Sequence, residues 1–174
     1  VSTFTCHTSS GGYRFKADDT VNDACTPCHA EKVRNAPSHS HHQAGSRGNQ
    51  RVSCHMPMTS FARMNRTDHS MLPPAPSATI RFNSPNACNL CHRDKEAAWA
   101  DTYARKWWKR DCQQAVLLRA GLVAAARKGE WSRFPDMLDY ITNTANNEIH
   151  RTSLVRLLRT GPEKDQWLLL RQLL

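Results

Sequence analysis

The first 93 residues of this 174-residue chain cannot build a core from their own side chains. Only 11 of those positions are Leu, Ile, Val or Phe, about 12%, a level at which an ordinary chain stays disordered. The same stretch holds six of the seven Cys, eight of the nine His and seven of the nine Pro. Gly11-Gly12, Gly45-Ser46-Arg47-Gly48, Leu72-Pro73-Pro74-Ala75-Pro76 and Ser84-Pro85-Asn86 punctuate it, and neither strand nor helix periodicity is sustained. Such a backbone reads as loops and short turns that must gather around something other than side chains.

The cysteines and histidines say what that is. Cys25-Thr26-Pro27-Cys28-His29 and Cys88-Asn89-Leu90-Cys91-His92 each carry the CxxCH spacing that attaches a c-type haem. Two thiols add across the haem vinyl groups, and the adjoining histidine is thereby set under the iron. Cys6-His7 and Cys54-His55 repeat the second half of the pattern, with Thr3 and Arg51 where the first cysteine would stand. These predict haems held by one thioether each. About four haems would thus use Cys6, Cys25, Cys28, Cys54, Cys88 and Cys91 for attachment and His7, His29, His55 and His92 as proximal ligands. Buried porphyrins would supply the apolar core that residues 1–93 lack.

Zinc is the main rival for a CxxC pair. A histidine directly after the second cysteine in both pairs is not a zinc requirement, and a redox CxxC would need a βαβ setting that is absent. Seven cysteines also leave one over in any pure disulfide framework. Low-spin iron takes two strong axial ligands. His39, His41, His42 and His69 are candidates for the distal positions, and the cluster His39-Ser40-His41-His42 could serve two haems side by side. His150 lies in a helical segment and reads as a surface or packing residue, while Met56, Met58, Met64 and Met71 read as fillers against porphyrin. Cys112 reads as a small buried helical residue.

From residue 94 the pattern changes. Leu, Ile, Val and Phe fill 18 of the remaining 81 positions, all five Trp lie there, and helical periodicity begins. A helix is expected over 94–110, with Trp99, Tyr103 and Trp107 along one face. A second is expected over 111–128, with Val116, Leu118, Leu122, Ala125 and Ala126 as its stripe and Gly129 as its stop. Others are expected over 131–141 (Phe134, Leu138 and Ile141 inward), over 147–159, and from Pro162 onward carrying Trp167, Leu170 and Leu174. The fold class expected is mainly α: a coil-rich multihaem cytochrome c domain over 1–93 wrapped around haems, then a small helical domain over 94–174. Helix pairs of HEAT type and a simple bundle are equal readings of the second part.

The formal charge of +9, from 24 Lys and Arg against 15 Asp and Glu, would by itself suggest nucleic acid or an anionic surface. Four haems with ionised propionates bring it to about +5 oxidised and about +1 reduced, so the basic excess is partly internal compensation. No aromatic-basic nucleic-acid motif occurs, and no apolar run reaches transmembrane length. The chain opens on Val1 without a visible leader, as expected of a processed product or a piece of a longer chain.

Cys25–His29, the cluster ending at His42, Cys54-His55-Met56-Pro57, Asp68-His69-Ser70 and Pro85–His92 followed by Asp94-Lys95 and Trp99 together resemble the multihaem c-type cytochromes with doubled CxxCH motifs, often fused to HEAT or tetratricopeptide helices. The resemblance covers about residues 3–109 and departs from the pattern at Thr3 and Arg51. It implies that His42 and His69 are distal ligands and that the chain is exported, to the periplasm or the cell exterior, before haem attachment. The expected function is electron transfer without substrate chemistry of its own, with other redox proteins or cytochromes as partners and end-to-end self-association into an oligomer or filament a further expectation. The alternative is a multihaem oxidoreductase acting on a small nitrogen compound at one haem with an open distal position.

Overall fold

A computed structural model describes Cys6, His7 and residues 22–173. The expectation at Thr3 falls outside the described residues. The fold is mainly helical, with one two-stranded sheet. By contacts the chain divides into two units, Val1–Pro76 with Pro85–Arg110, and Ser77–Ser84 with Asp111–Leu174. The expected division was at residue 93, whereas the segment up to Arg110 groups with the first unit.

The first unit contains short elements rather than bare loops. Helices α1 (Thr26–Arg34), α2 (Ala36–Ser40) and α3 (Arg51–His55) precede a hairpin of β1 (Met58–Phe61) and β2 (Met64–Thr67), paired antiparallel with Met58 opposite Thr67. Helix α4 (Pro76–Phe82) comes next in the chain and, beyond Pro76, groups with the second unit, while α5 (Ala87–Cys91) and α6 (Ala97–Trp107) belong to the first. Elements of five residues span barely more than one turn, so they leave no periodic trace in the sequence. The hairpin turn is made by Ala62 and Arg63 at φ 48° and 64°. Left-handed conformations there would normally be announced by Asn or Gly, which is why this hairpin escaped the sequence reading.

The second unit is built as its periodicity predicts. Helices α7 (Gln114–Lys128), α8 (Phe134–Thr142), α9 (Glu148–Leu158) and α10 (Glu163–Leu173) follow one another through short connections. Leu122, Ala125 and Ala126 of α7, Phe134, Met137, Leu138 and Ile141 of α8, and Leu154 and Leu158 of α9 form one buried cluster. Each fully buried large apolar side chain there contributes about 2 kcal/mol. Leu118, placed on that stripe by the sequence, is 51% exposed, and Trp167 is 61% exposed. Gly129 ends α7 at φ 73°, and Glu130 N–H reaches back to the Ala125 carbonyl at 2.9 Å, a C-terminal closure that needs glycine. Asn147 begins α9, its side-chain oxygen accepting the Ile149 N–H at 3.0 Å. Cys112 lies in a turn before α7, half-buried, rather than on the helix. Among the described residues no helix is long and apolar enough to cross a membrane.

Candidate functional site

The two CxxCH segments fold alike. Cys25 caps α1, Pro27 sits in its first turn, and Cys28 follows one turn later, so both thiols share a face. His29 then leaves helical geometry at φ −130°, ψ 36° and is exposed. In the second segment Asn86 caps α5, accepting the Asn89 N–H at 3.2 Å, and Cys88 and Cys91 lie within the helix with His92 at its end. Cys54 and His55 occupy the last turn of α3. All seven cysteines are free thiols.

Burial raises the pKa of the Cys25 thiol, and Cys6 adds to that rise while Arg51 opposes it. Burial also raises Cys54, with Cys91 adding to the rise and Arg51 opposing it, and burial pushes Cys88 up to about 11, with Cys54 and Cys91 adding to the rise. These thiols are therefore protonated near neutral pH.

Six of the eight histidines of residues 1–93 meet in pairs. His39 faces His55 with ring centres 6.1 Å apart and planes 20° apart. His42 faces His92 at 6.1 Å and 38°, and His7 faces His69 at 6.4 Å and 47°. A metal–imidazole bond is about 2 Å and a ring nitrogen lies about 1 Å from its ring centre, so two imidazoles on opposite sides of one iron have centres about 6 Å apart. Each pair contains one proximal candidate, His55, His92 or His7, and one distal candidate.

The hydrogen bonds select the tautomer. His42 Nδ1 lies 2.6 Å from the Ser40 carbonyl oxygen, His55 Nδ1 3.1 Å from that of Leu72, and His69 Nδ1 2.9 Å from that of Thr67. A carbonyl only accepts, so each Nδ1 carries the proton and each Nε2 keeps its lone pair. One member of every pair is thus fixed in the form that binds a metal, by the backbone partner that metal-ligating histidines usually have. Burial, with the Arg51 charge beside them, lowers the pKa of His39 and His55 despite the Leu72 hydrogen bond that opposes the shift at His55, and so favours neutral imidazole.

The histidines of the cluster point apart because its backbone turns sharply. His41 is left-handed, at φ 56°, ψ 27°, and ends α2. The turn sends His39 to His55, His41 to Trp107 and His42 to His92. An open recess is lined by His39, His42, Cys54, His55, Cys88 and Trp107, among others. Arg51 also lines it, and its buried Nε has no hydrogen-bond partner. Its Nη2 donates to the Lys32 carbonyl.

Paired imidazoles, thiols beside them, aromatic walls and a buried cationic donor fit a covalently attached iron porphyrin. Among the described residues no three His, Cys, Asp or Glu side chains gather as a metal cluster, whereas a haem iron asks the protein for only two ligands. His29 and His41 are not opposed in this way: among the described residues no histidine ring faces His29, and His41 stacks on Trp107. Two positions had no sequence signal. A Cβ on Gly48 would lie 2.6 Å from His42 Cγ and 2.8 Å from Nε2, so only glycine lets that imidazole in. Ser40 gives His42 both its carbonyl and, at 3.2 Å, a hydroxyl acceptor for the His42 N–H.

Comparison with protein-family models, with curated proteins and with solved structures finds no match for this chain.

Proposed function

We propose that the first unit binds about four c-type haems and that the chain is an electron-transfer protein. The observation that carries this reading is the three histidine pairs at iron-spanning distance, each with one Nδ1 tied to a backbone carbonyl. Haem iron supplies a one-electron couple when bound. The chain's own contribution is to hold two imidazoles in fixed positions, so that coordination is the same before and after electron transfer. Cys25 with Cys28 and Cys88 with Cys91 give two thioethers each, and Cys6 and Cys54 one each. Arg51 offers charge to a propionate. A pyridine haemochrome assay with a denaturing mass spectrum of the purified protein tests it: about four covalent haems are expected, and a haem-free chain overturns the reading. The same reading makes the protein periplasmic or extracellular, with other cytochromes or redox proteins, including further copies of itself, as partners. A HEAT-like second unit would then serve as scaffold or docking surface.

One observation favours the second reading, an oxidoreductase acting on a small nitrogen compound. His29 is exposed, with no imidazole opposite it among the described residues. A high-spin ferric signal that disappears on adding nitrite or hydroxylamine supports that reading, and wholly low-spin iron excludes it.

A further inference from the structure

Helix α6 carries three aromatic rings at four-residue spacing, and they touch in sequence. Trp99 and Tyr103 have ring centres 4.9 Å apart, and Tyr103 and Trp107 5.4 Å. Each end of the row meets one member of the same histidine pair: Trp99 lies 4.9 Å from His92, and Trp107 meets His42 edge-on at 6.1 Å and 76°. His41 lies flat on Trp107 at 4.6 Å and 15°, and Trp108 stands edge-on to it at 6.4 Å and 73°. On its other sides His42 is confined by the Gly48 backbone and by its hydrogen bond to Ser40. A ring held by a hydrogen bond, a glycine backbone and an indole edge has no freedom to rotate.

We infer that α6 is a clamp for the His42–His92 pair: Trp99 and Trp107 are positioning residues that set the planes of the two imidazoles, and His41 is a strut on Trp107 rather than an iron ligand. The inference rests on the haem reading above. It gives the row of aromatics a purpose that core packing does not, since Tyr103 is 36% exposed while both indoles turn toward histidines. It also divides the cluster by task, with His39 and His42 as ligands and His41 between them as support. His41 suits that task because flat contact with an indole needs the whole imidazole face, and a ring bound edge-on to iron in a pair would have its partner about 6 Å away.

The angle between two axial imidazole planes shapes the electron paramagnetic resonance of low-spin ferric iron, so the clamp has a direct readout. In the haem-loaded holoprotein, Trp107→Leu is expected to keep the haem count and displace one low-spin signal, while Trp107→Phe leaves that signal near its original position. His41→Phe is expected to keep every low-spin signal, and His42→Phe to turn one of them high-spin. The inference is overturned if Trp107→Leu leaves all signals in place or moves them all together, or if His41→Phe creates a high-spin haem. Should Trp107→Leu fail to accumulate, the contrast between His41→Phe and His42→Phe decides. A wild-type protein without haem overturns the functional reading instead, before any variant is made.

Discussion

A histidine offers iron a nitrogen only when its proton sits on the other one, and here three backbone carbonyls make that choice. The sequence shows the cysteines and histidines in the CxxCH pattern twice and in the Cys-His half of it twice. Which ring faces which could not be read there, since His92 stands fifty positions after His42 and only the fold closes that distance. Gly48 is the sharpest case of a residue whose importance is invisible in the sequence, because it reads as loop punctuation. On the proposed haem reading, Gly48→Ala is expected to expel the His42 imidazole, so that one low-spin signal is lost in electron paramagnetic resonance while covalent haem content stays unchanged because the thiols are untouched. Cys54→Ala is expected to release one haem under denaturing mass spectrometry, whereas Cys25→Ala leaves its haem attached through Cys28. His150 carries a pH dependence of its own. Burial, with the nearby Arg119 charge, lowers its pKa from the usual 6.5. The unfolded chain therefore binds the proton more readily, and stability falls as pH drops below about 6.5. Denaturant titrations at pH 7 and pH 5 should differ in the wild type, and the difference should shrink in His150→Gln.

At the scale of elements, legibility followed length. Helices α7, α8 and α9 have 15, 9 and 11 residues, enough to print an apolar stripe, and Gly129 and Asn147 mark two of their ends in the sequence itself. Within that stripe Leu118 was misplaced, because periodicity alone does not say how wide the covered face is. Helices α2, α3 and α5 have five residues each and stand on their surroundings rather than on propensity, so they passed as turns. The cap on α9 has a measurable share in the second unit. Asn147→Ala removes the acceptor of the Ile149 N–H and is expected to cost about 1 kcal/mol in urea unfolding. Asn147→Asp should restore most of that, since a carboxylate also suits a helix N-terminus.

At the scale of the molecule, the two units differ in what holds them together. The second has nine buried side chains in one cluster. Among the described residues, the buried apolar side chains of the first are few, chiefly Met56, Pro76, Ala87, Ala100 and Ala104. That contrast was already present in the sequence as a contrast in composition. On the haem reading, heating should give two transitions, one of which moves with haem content. Protein produced without haem attachment should lose the first transition and keep the second, as followed by helical circular dichroism during a thermal scan; a single transition insensitive to haem would contradict it. The hairpin turn at Ala62 and Arg63 has a consequence for the wiring of the chain. It lies between His55 and His69, and the facing pairs His7–His69 and His42–His92 both straddle it, their loops crossing rather than nesting. On the haem reading, ligation across two crossed loops would act as a pair of cross-links, each restricting the unfolded chain as a disulfide of the same span would. A cut at this turn would then leave the pieces tied together, so the protein would tolerate the loss of a peptide bond at this exposed bend.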